Sequence, residues 1–139
     1  MNSILCETQR LYPPVVMLPR QTSKNVKLGA LDVPAGTHFY LALPSVHHDP
    51  DIWGKDANEF NPLRFNEPRN HLASFFPFGI GPRMCVGKNL AVMEVKIVLA
   101  MIIRSYSFVV SPTYVHAPSL LLSTQPQFGA QILFRRILN

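Results

Sequence analysis

One thiol in this chain has the surroundings that chemistry requires. Cys85 lies in FFPFGIGPRMCVGKNLA, residues 75–91, between Gly81 and Gly87 and two residues after Arg83. Glycine lets a backbone turn tightly and approach a ligand closely. The pattern from Lys88 onward predicts a helix, whose unpaired N-terminal amides point back at the loop and favour an anionic sulfur. With the positive charge of Arg83, these features suit a thiolate held against a metal. A buried, inert cysteine is the other reading of the local chemistry, because that is the common state of a free thiol. The second cysteine, Cys6, sits far away in an apolar amphipathic segment, so the pair makes neither a disulfide framework nor a zinc site. A reducing compartment follows most simply.

Glu7 and Arg10 are three residues apart and share one face of a predicted helix. Such a pair is either a solvated surface contact worth about 0.3 kcal/mol or part of something buried. His47 and His48 are adjacent, point to opposite faces if they lie in a strand, and have no third ligand at a useful spacing. They read as structural. Glu94 and Lys96 interrupt an apolar helical stretch and read as its solvent-facing edge.

These residues need elements to position them. MNSILCETQRLYPP predicts a helix that stops at Tyr12, because Pro13 and Pro14 cannot continue it. No residue caps its start convincingly, as though the chain opened inside a larger unit. VKLGALDVPAGTHFYLAL predicts short strands joined by Gly and Pro turns. Residues 45–76 show no sustained period and predict a long irregular segment that wraps something or has a job. KNLAVMEVKIVLAMIIR, residues 88–104, is apolar on nearly all faces and predicts a buried helix. Short strands are expected around Phe108–Val110, Leu120–Ser123 and Ile132–Arg135. The class is α+β, with two principal helices and small sheets.

The chain has 139 residues, enough for one modest domain, and its balance of 47% hydrophobic to 15% charged residues excludes a disordered segment. Met1 to Arg10 has no apolar signal core. The apolar run Ile97 to Ile103 falls far short of the ~20 residues of a membrane span. A formal charge of +5 would by itself allow a nucleic-acid or membrane partner.

The wider pattern Phe78-x-x-Gly81-x-Arg83-x-Cys85-x-Gly87 resembles the haem-ligand signature of cytochromes P450. Fixed residues at several fixed offsets are far more specific than a lone glycine motif. Glu7-x-x-Arg10, followed by RLYPP, resembles that family's ExxR helix, with Gln9 a mild departure inside it. Pro62-Leu63-Arg64-Phe65 resembles its PERF motif, with Leu63 in place of the commoner Glu. SVHHDPDIWG, EFNPLRF and YVHAP resemble the plant clan of hormone- and terpenoid-oxidising enzymes. The resemblance covers residues 1–139 as the C-terminal third of a mainly helical P450 fold, with a long irregular haem-loop region.

That resemblance implies a haem-thiolate monooxygenase that inserts one oxygen atom of O2 into a small apolar substrate, this chain supplying the proximal part. Cys85 would be the axial ligand to haem iron, with Phe78 shielding the sulfur, Gly81 and Gly87 giving the loop room, and Arg83 meeting a haem propionate. Arg20 is either a second propionate partner or a surface arginine. Glu7, Arg10 and Arg64 would form a buried structural triad. Val15, Val16, Met17 and Leu18, with Leu121 and Leu122 in the turn Leu120–Thr124, either line the substrate pocket or pack as ordinary core. Lys88 would lie on the face that meets NADPH–cytochrome P450 reductase. With Arg10, Arg20, Arg64, Arg83 and Glu7 internal, the surface excess falls to about +2, which argues for no nucleic-acid partner. The family's full-length members sit on the cytosolic face of the endoplasmic reticulum membrane through an N-terminal anchor, and neither that anchor nor the long distal helix lies in these residues. A catalytically inactive truncated fragment, or a non-catalytic haem-binding module, is the alternative.

Overall fold

The computed structural model describes residues 1–68, 71–120 and 123–137. Its α+β fold begins with α1, Asn2–Leu11. The Tyr12 amide closes the helix on the Thr8 carbonyl at 2.8 Å before the two prolines turn the chain away. No side chain caps the start at Met1. One face of α1 carries Glu7, Arg10 and Leu11 into the interior.

Strand β1, Met17–Gln21, pairs antiparallel with β4, His38–Ala42, in the register Met17 to Ala42 through Gln21 to His38. Between them β2, Val26–Leu28, and β3, Leu31–Val33, form a hairpin. Gly29 takes a φ of 58° at the first turn position, where an L side chain is disfavoured. Buried Thr22 locks the base of this excursion: its hydroxyl donates to the Pro34 carbonyl at 2.6 Å and accepts the Thr37 amide at 3.0 Å.

The segment after β4 is more regular than its sequence predicts. Helices α2, Leu43–His47, and α3, Pro50–Trp53, follow at once. Asp49 caps α3 by accepting the Asp51 amide at 2.9 Å. Helices of four or five residues are too short to leave a period in a sequence, which is why these were not foreseen. His47 and His48 therefore lie at the end of a helix and not in a strand. Tight 3-10 turns at Pro62–Phe65, Leu72–Ser74 and Gly81–Arg83 lead to α4, Lys88–Ser105. Strand β5, Tyr106–Val110, pairs with β8, Ile132–Arg136; β6, Pro118–Leu120, pairs with β7, Thr124–Pro126. Of the expected strand at Leu120–Ser123, Leu120 ends β6 and Ser123 lies outside the strands. Leu121 and Leu122 lie outside the described residues.

The core is small and unusually polar. Leu11, Leu43, Ala57 and Phe76 are its buried apolar members, and Glu7, Arg10, Thr22, His47 and Ser74 are buried beside them. Helix α4 departs from expectation most sharply. It is apolar all round, yet no residue of it is buried, and Val98 and Met101 stay 53% and 65% exposed. A helix of this kind needs neighbours on every side, and the described residues supply them on too few. Glu94 is exposed and Lys96 half-buried.

Contiguous exposed apolar surface drives association. The 139-residue chain expressed alone should bind a hydrophobic dye and associate in sedimentation runs at micromolar concentration. Val98→Glu with Met101→Lys should reduce both effects; a dye-silent monomer with a cooperative melt would contradict this.

Candidate functional site

Glu7 and Arg10 are both 0% exposed and form a two-bond pair, with Glu7 Oε2 2.8 Å from Arg10 Nε and Oε1 2.8 Å from Nη2. The helical spacing alone brings them together. The rest of the arrangement is long-range. Arg10 Nη1 donates to the main-chain carbonyls of His47 and Ala57, each at 2.6 Å, and Nη2 donates to that of Glu59 at 3.3 Å. Its guanidinium also lies 5.0 Å from the centre of a Trp53 ring. Arg64, from the turn Pro62–Phe65, reaches back to Glu7 Oε1 at 3.1 Å, and the Asn61 amide donates to the same oxygen at 2.9 Å.

Asp56 joins as a fourth member. Its carboxylate accepts from Arg64 Nη2 at 2.9 Å, and its own carbonyl accepts from the same nitrogen at 3.0 Å. Two carboxylates thus balance two guanidiniums. Asp56 sits in an irregular stretch with no spacing rule to mark it, so sequence reasoning missed it. Burial opposes the charge of Glu7, but bonds from Arg10, the Asn61 amide and Arg64 outweigh it and hold the carboxyl below its ordinary range. The Arg64 bond likewise draws Asp56 down. Burial opposes the Arg64 charge too, and its bonds to Asp56 and Glu7 raise it overall.

His47 is fully buried beside this network. Its Nε2 accepts the Phe76 amide at 3.2 Å, and its ring lies tilted against Phe75 at 5.3 Å and edge-on to Phe76 at 5.4 Å. Burial, reinforced by the charge of Arg10, pushes its pKa from 6.5 down to about 4. His48 is bound by Asn58 and the Leu11 carbonyl instead. Among the described residues no group of three or more His, Cys, Asp or Glu could hold a metal ion.

The cysteine loop begins where His47 ends. Phe76 O accepts the Gly79 amide at 2.8 Å, and Phe78 O accepts the Cys85 amide at 2.8 Å, closing the loop on itself. Gly79 and Gly81 both take φ of 77°, so the turn depends on glycine at each. Gly79 was not singled out from sequence. Gly87 needs no such freedom: its φ is −83°, and a Cβ there would stand 3.9 Å from Cys85 Sγ. Cys85 is free and exposed. Ile80, Met84 and Val86 of the same loop are also exposed, and exposed Arg83 makes no hydrogen bond or ion pair among the described residues. Phe78 is half-buried and lines a cavity of about 590 Å³ between α1 and α4 that also takes in Cys6 and Lys88.

The remaining candidates fall nearby. A Cβ on Gly79 would lie 3.7 Å from Leu18 Cδ1, which sets β1 against the cysteine loop. Val15 and Met17 are 43% and 48% exposed, and Val16 and Leu18 half-buried, so this segment is not packed as core. Thr124 binds the same connection, its amide donating to the Pro14 carbonyl at 2.9 Å and its hydroxyl to that of Pro13 at 2.8 Å. His116 holds Tyr12 and Tyr114 hydroxyls at 2.9 Å on its two ring nitrogens. Arg20 is half-buried and donates to the carbonyl of Pro19 at 2.7 Å. Lys88 is exposed in the first turn of α4.

Residues 1–133 match the family model for cytochrome P450. Curated relatives include cytochrome P450 734A1 of Arabidopsis thaliana, 47% identical over all of this chain but only 28% of its own length. CYP749A22 of Panax ginseng is 48% identical over 96% of this chain and 26% of its own. The chain thus spans little more than a quarter of the relatives it matches. Among solved structures, a retinoic acid-bound cyanobacterial CYP120A1 matches with a TM-score of 0.90 at 25% identity, covering 98% of this chain and 33% of that one. A zebrafish cytochrome P450 with progesterone matches at 0.87 and 31% identity, over 98% of this chain and 31% of that one.

Two expectations follow for the protein at its full natural length. Glu7→Ala leaves the buried Arg10 guanidinium without a counter-charge and Arg64 with Asp56 alone, and should cost about 3–5 kcal/mol in denaturant unfolding, with Glu7 and Arg64 coupled by more than about 1 kcal/mol in a double-mutant cycle. Stability should also fall with acid. Unfolded His47 takes up a proton below 6.5 while folded His47 resists until about 4, so stability is lost across that window, on the order of 3 kcal/mol. Below 4.5 the depressed carboxyl of Glu7 adds a second loss. Unfolding midpoints measured from pH 7 to pH 4 check the sign.

Proposed function

Because this chain belongs to the cytochrome P450 family, we propose that it is the C-terminal, proximal haem-binding portion of a haem-thiolate monooxygenase acting on a small apolar substrate. Haem is the cofactor of that family. The carrying observation is the Cys85 thiol, exposed at the end of a loop shaped by Gly79 and Gly81 and directly preceding α4.

The residues around it fit a flat, apolar group with an anionic edge. Ile80, Met84 and Val86 offer exposed apolar contact, and Arg83 is an uncommitted cation beside the thiol. When bound, haem supplies the activation of oxygen, to which a thiolate ligand contributes by pushing electron density onto iron. Cys85 would be the protein's ligand to the iron, and Phe78 would screen the sulfur from water. Arg83 would pair with a propionate, and Arg20 would be the candidate partner for a second one. Val15, Val16, Met17 and Leu18 would line the substrate side, a role the family resemblance also gives to Leu121 and Leu122. Glu7, Arg10 and Arg64 carry no chemistry; they hold the frame on which the loop stands.

Lys88 contributes to the surface that receives electrons from NADPH–cytochrome P450 reductase. The full-length protein works at the cytosolic face of the endoplasmic reticulum membrane and takes no nucleic acid. Among the described residues no helix is long and apolar enough to cross a membrane.

One observation favours a second reading, in which the 139-residue chain by itself binds haem without turnover, or is inactive. The thiol and most of α4 remain open to solvent, whereas oxygen chemistry needs a site closed against water.

The test is the spectrum of the reduced, carbon monoxide-bound protein at its full natural length. A thiolate-type Soret band is expected, lost in Cys85→Ser and kept in Cys6→Ala. A band unaffected by Cys85→Ser would sink the assignment. NADPH-dependent oxidation of apolar compounds with added reductase then separates an enzyme from a haem-binding module.

A further inference from the structure

We propose that His47 is a positioning residue for the cysteine loop, acting through its Nε2 as the fixed acceptor for the Phe76 amide. The inference rests on the reading of Cys85 as the haem ligand and adds a residue to it.

The geometry is specific. A backbone amide can only donate, so Nε2, 3.2 Å from the Phe76 nitrogen, must carry no proton. The proton of the neutral ring therefore sits on Nδ1, which is buried and has no partner among the described residues. A buried donor left unpaired is costly. The ring accepts that cost at one nitrogen while the other serves the loop. A purely packing role, against Phe75 and Phe76, would be met as well by an apolar side chain, without an orphaned donor.

The contact also sits at a junction. The main-chain carbonyl of His47 receives Arg10, which fixes the residue to the buried ion network. From its side chain, hydrogen bonds run to the Phe76 amide, from the Phe76 carbonyl to Gly79, and from the Phe78 carbonyl to Cys85. One residue thus hands the rigidity of the network to the segment that presents the thiol. Among the described residues the side-chain bonds of Arg64 and Asp56 go to Glu7, Trp53, Asn61 and each other.

The experiment compares three variants of the full-length, haem-loaded protein. In His47→Gln the side-chain oxygen reaches the place of Nε2; in His47→Asn the oxygen stops near Nδ1; His47→Leu fills the space without an acceptor. Haem content, the reduced carbon monoxide spectrum and hydrogen exchange at the Phe76 amide are read for each. His47→Gln should keep the thiolate band and slow exchange. His47→Asn and His47→Leu should lose much of the thiolate band and exchange Phe76 about ten-fold faster or more. If His47→Leu fails to fold, the Gln and Asn pair decides. Three variants that all keep the wild-type band and exchange, or a Gln variant as damaged as the Asn one, would overturn the proposal. A wild-type protein without a thiolate band would instead overturn the reading of Cys85.

Discussion

A carboxylate taken wholly out of water must find its compensation inside the protein, and Glu7 is such a carboxylate. It finds Arg10 on its own helix and Arg64 from a turn 57 residues further on. The guanidiniums in turn need acceptors for their remaining donors, and they take main-chain carbonyls from α2, α3 and the connection after it. The irregular middle of the chain is organised in this way around one charge. The apolar core is too small to do the same: its members are a leucine from α1, one from α2, an alanine and a phenylalanine. Breaking such a pair is far more costly than the pair itself is stabilising, so the network specifies an arrangement more than it deepens a well.

What could be read from the sequence was whatever depends on short spacing. Two prolines end α1, three residues set Glu7 against Arg10, and fixed offsets mark the cysteine loop. The extent of α4 follows from its apolar run and was placed to within a residue. What could not be read depends on where distant segments meet. Asp56 gains its role only because Arg64 is held over it, and Gly79 matters only because the Phe76 carbonyl pulls its amide into a left-handed turn. His47 looked like half of an idle pair; its burial is set by α1 and the phenylalanine segment together. The exposure of α4 was misread for a different reason. Apolar periodicity says that a surface must be covered, and says nothing of whether the covering lies within the same stretch of chain.

The two halves of the structure differ in kind as a result. From α1 to the phenylalanine segment, charge and main-chain hydrogen bonds hold the parts at fixed distances. From α4 onward, the strands are exposed and the helix touches its surroundings on few sides. The thiol lies at the seam. It is anchored from behind by the Cys85 amide and the Phe78 carbonyl, while its own sulfur looks out from the ordered half.

The acceptors chosen by Arg10 and Arg64 carry a consequence for how this region can change over evolutionary time. Their carbonyls belong to the backbone of residues 47, 53, 56, 57 and 59, and every amino acid supplies a carbonyl. At Ala57 and Glu59, such a bond places little demand on which side chain is present. It places a demand on chain length, since one inserted or deleted residue between His47 and Arg64 would shift at least one of these carbonyls, or Arg64 itself, out of register with its partner. Sequence drift in this stretch is therefore filtered by counting: letters can turn over while the number of residues stays put.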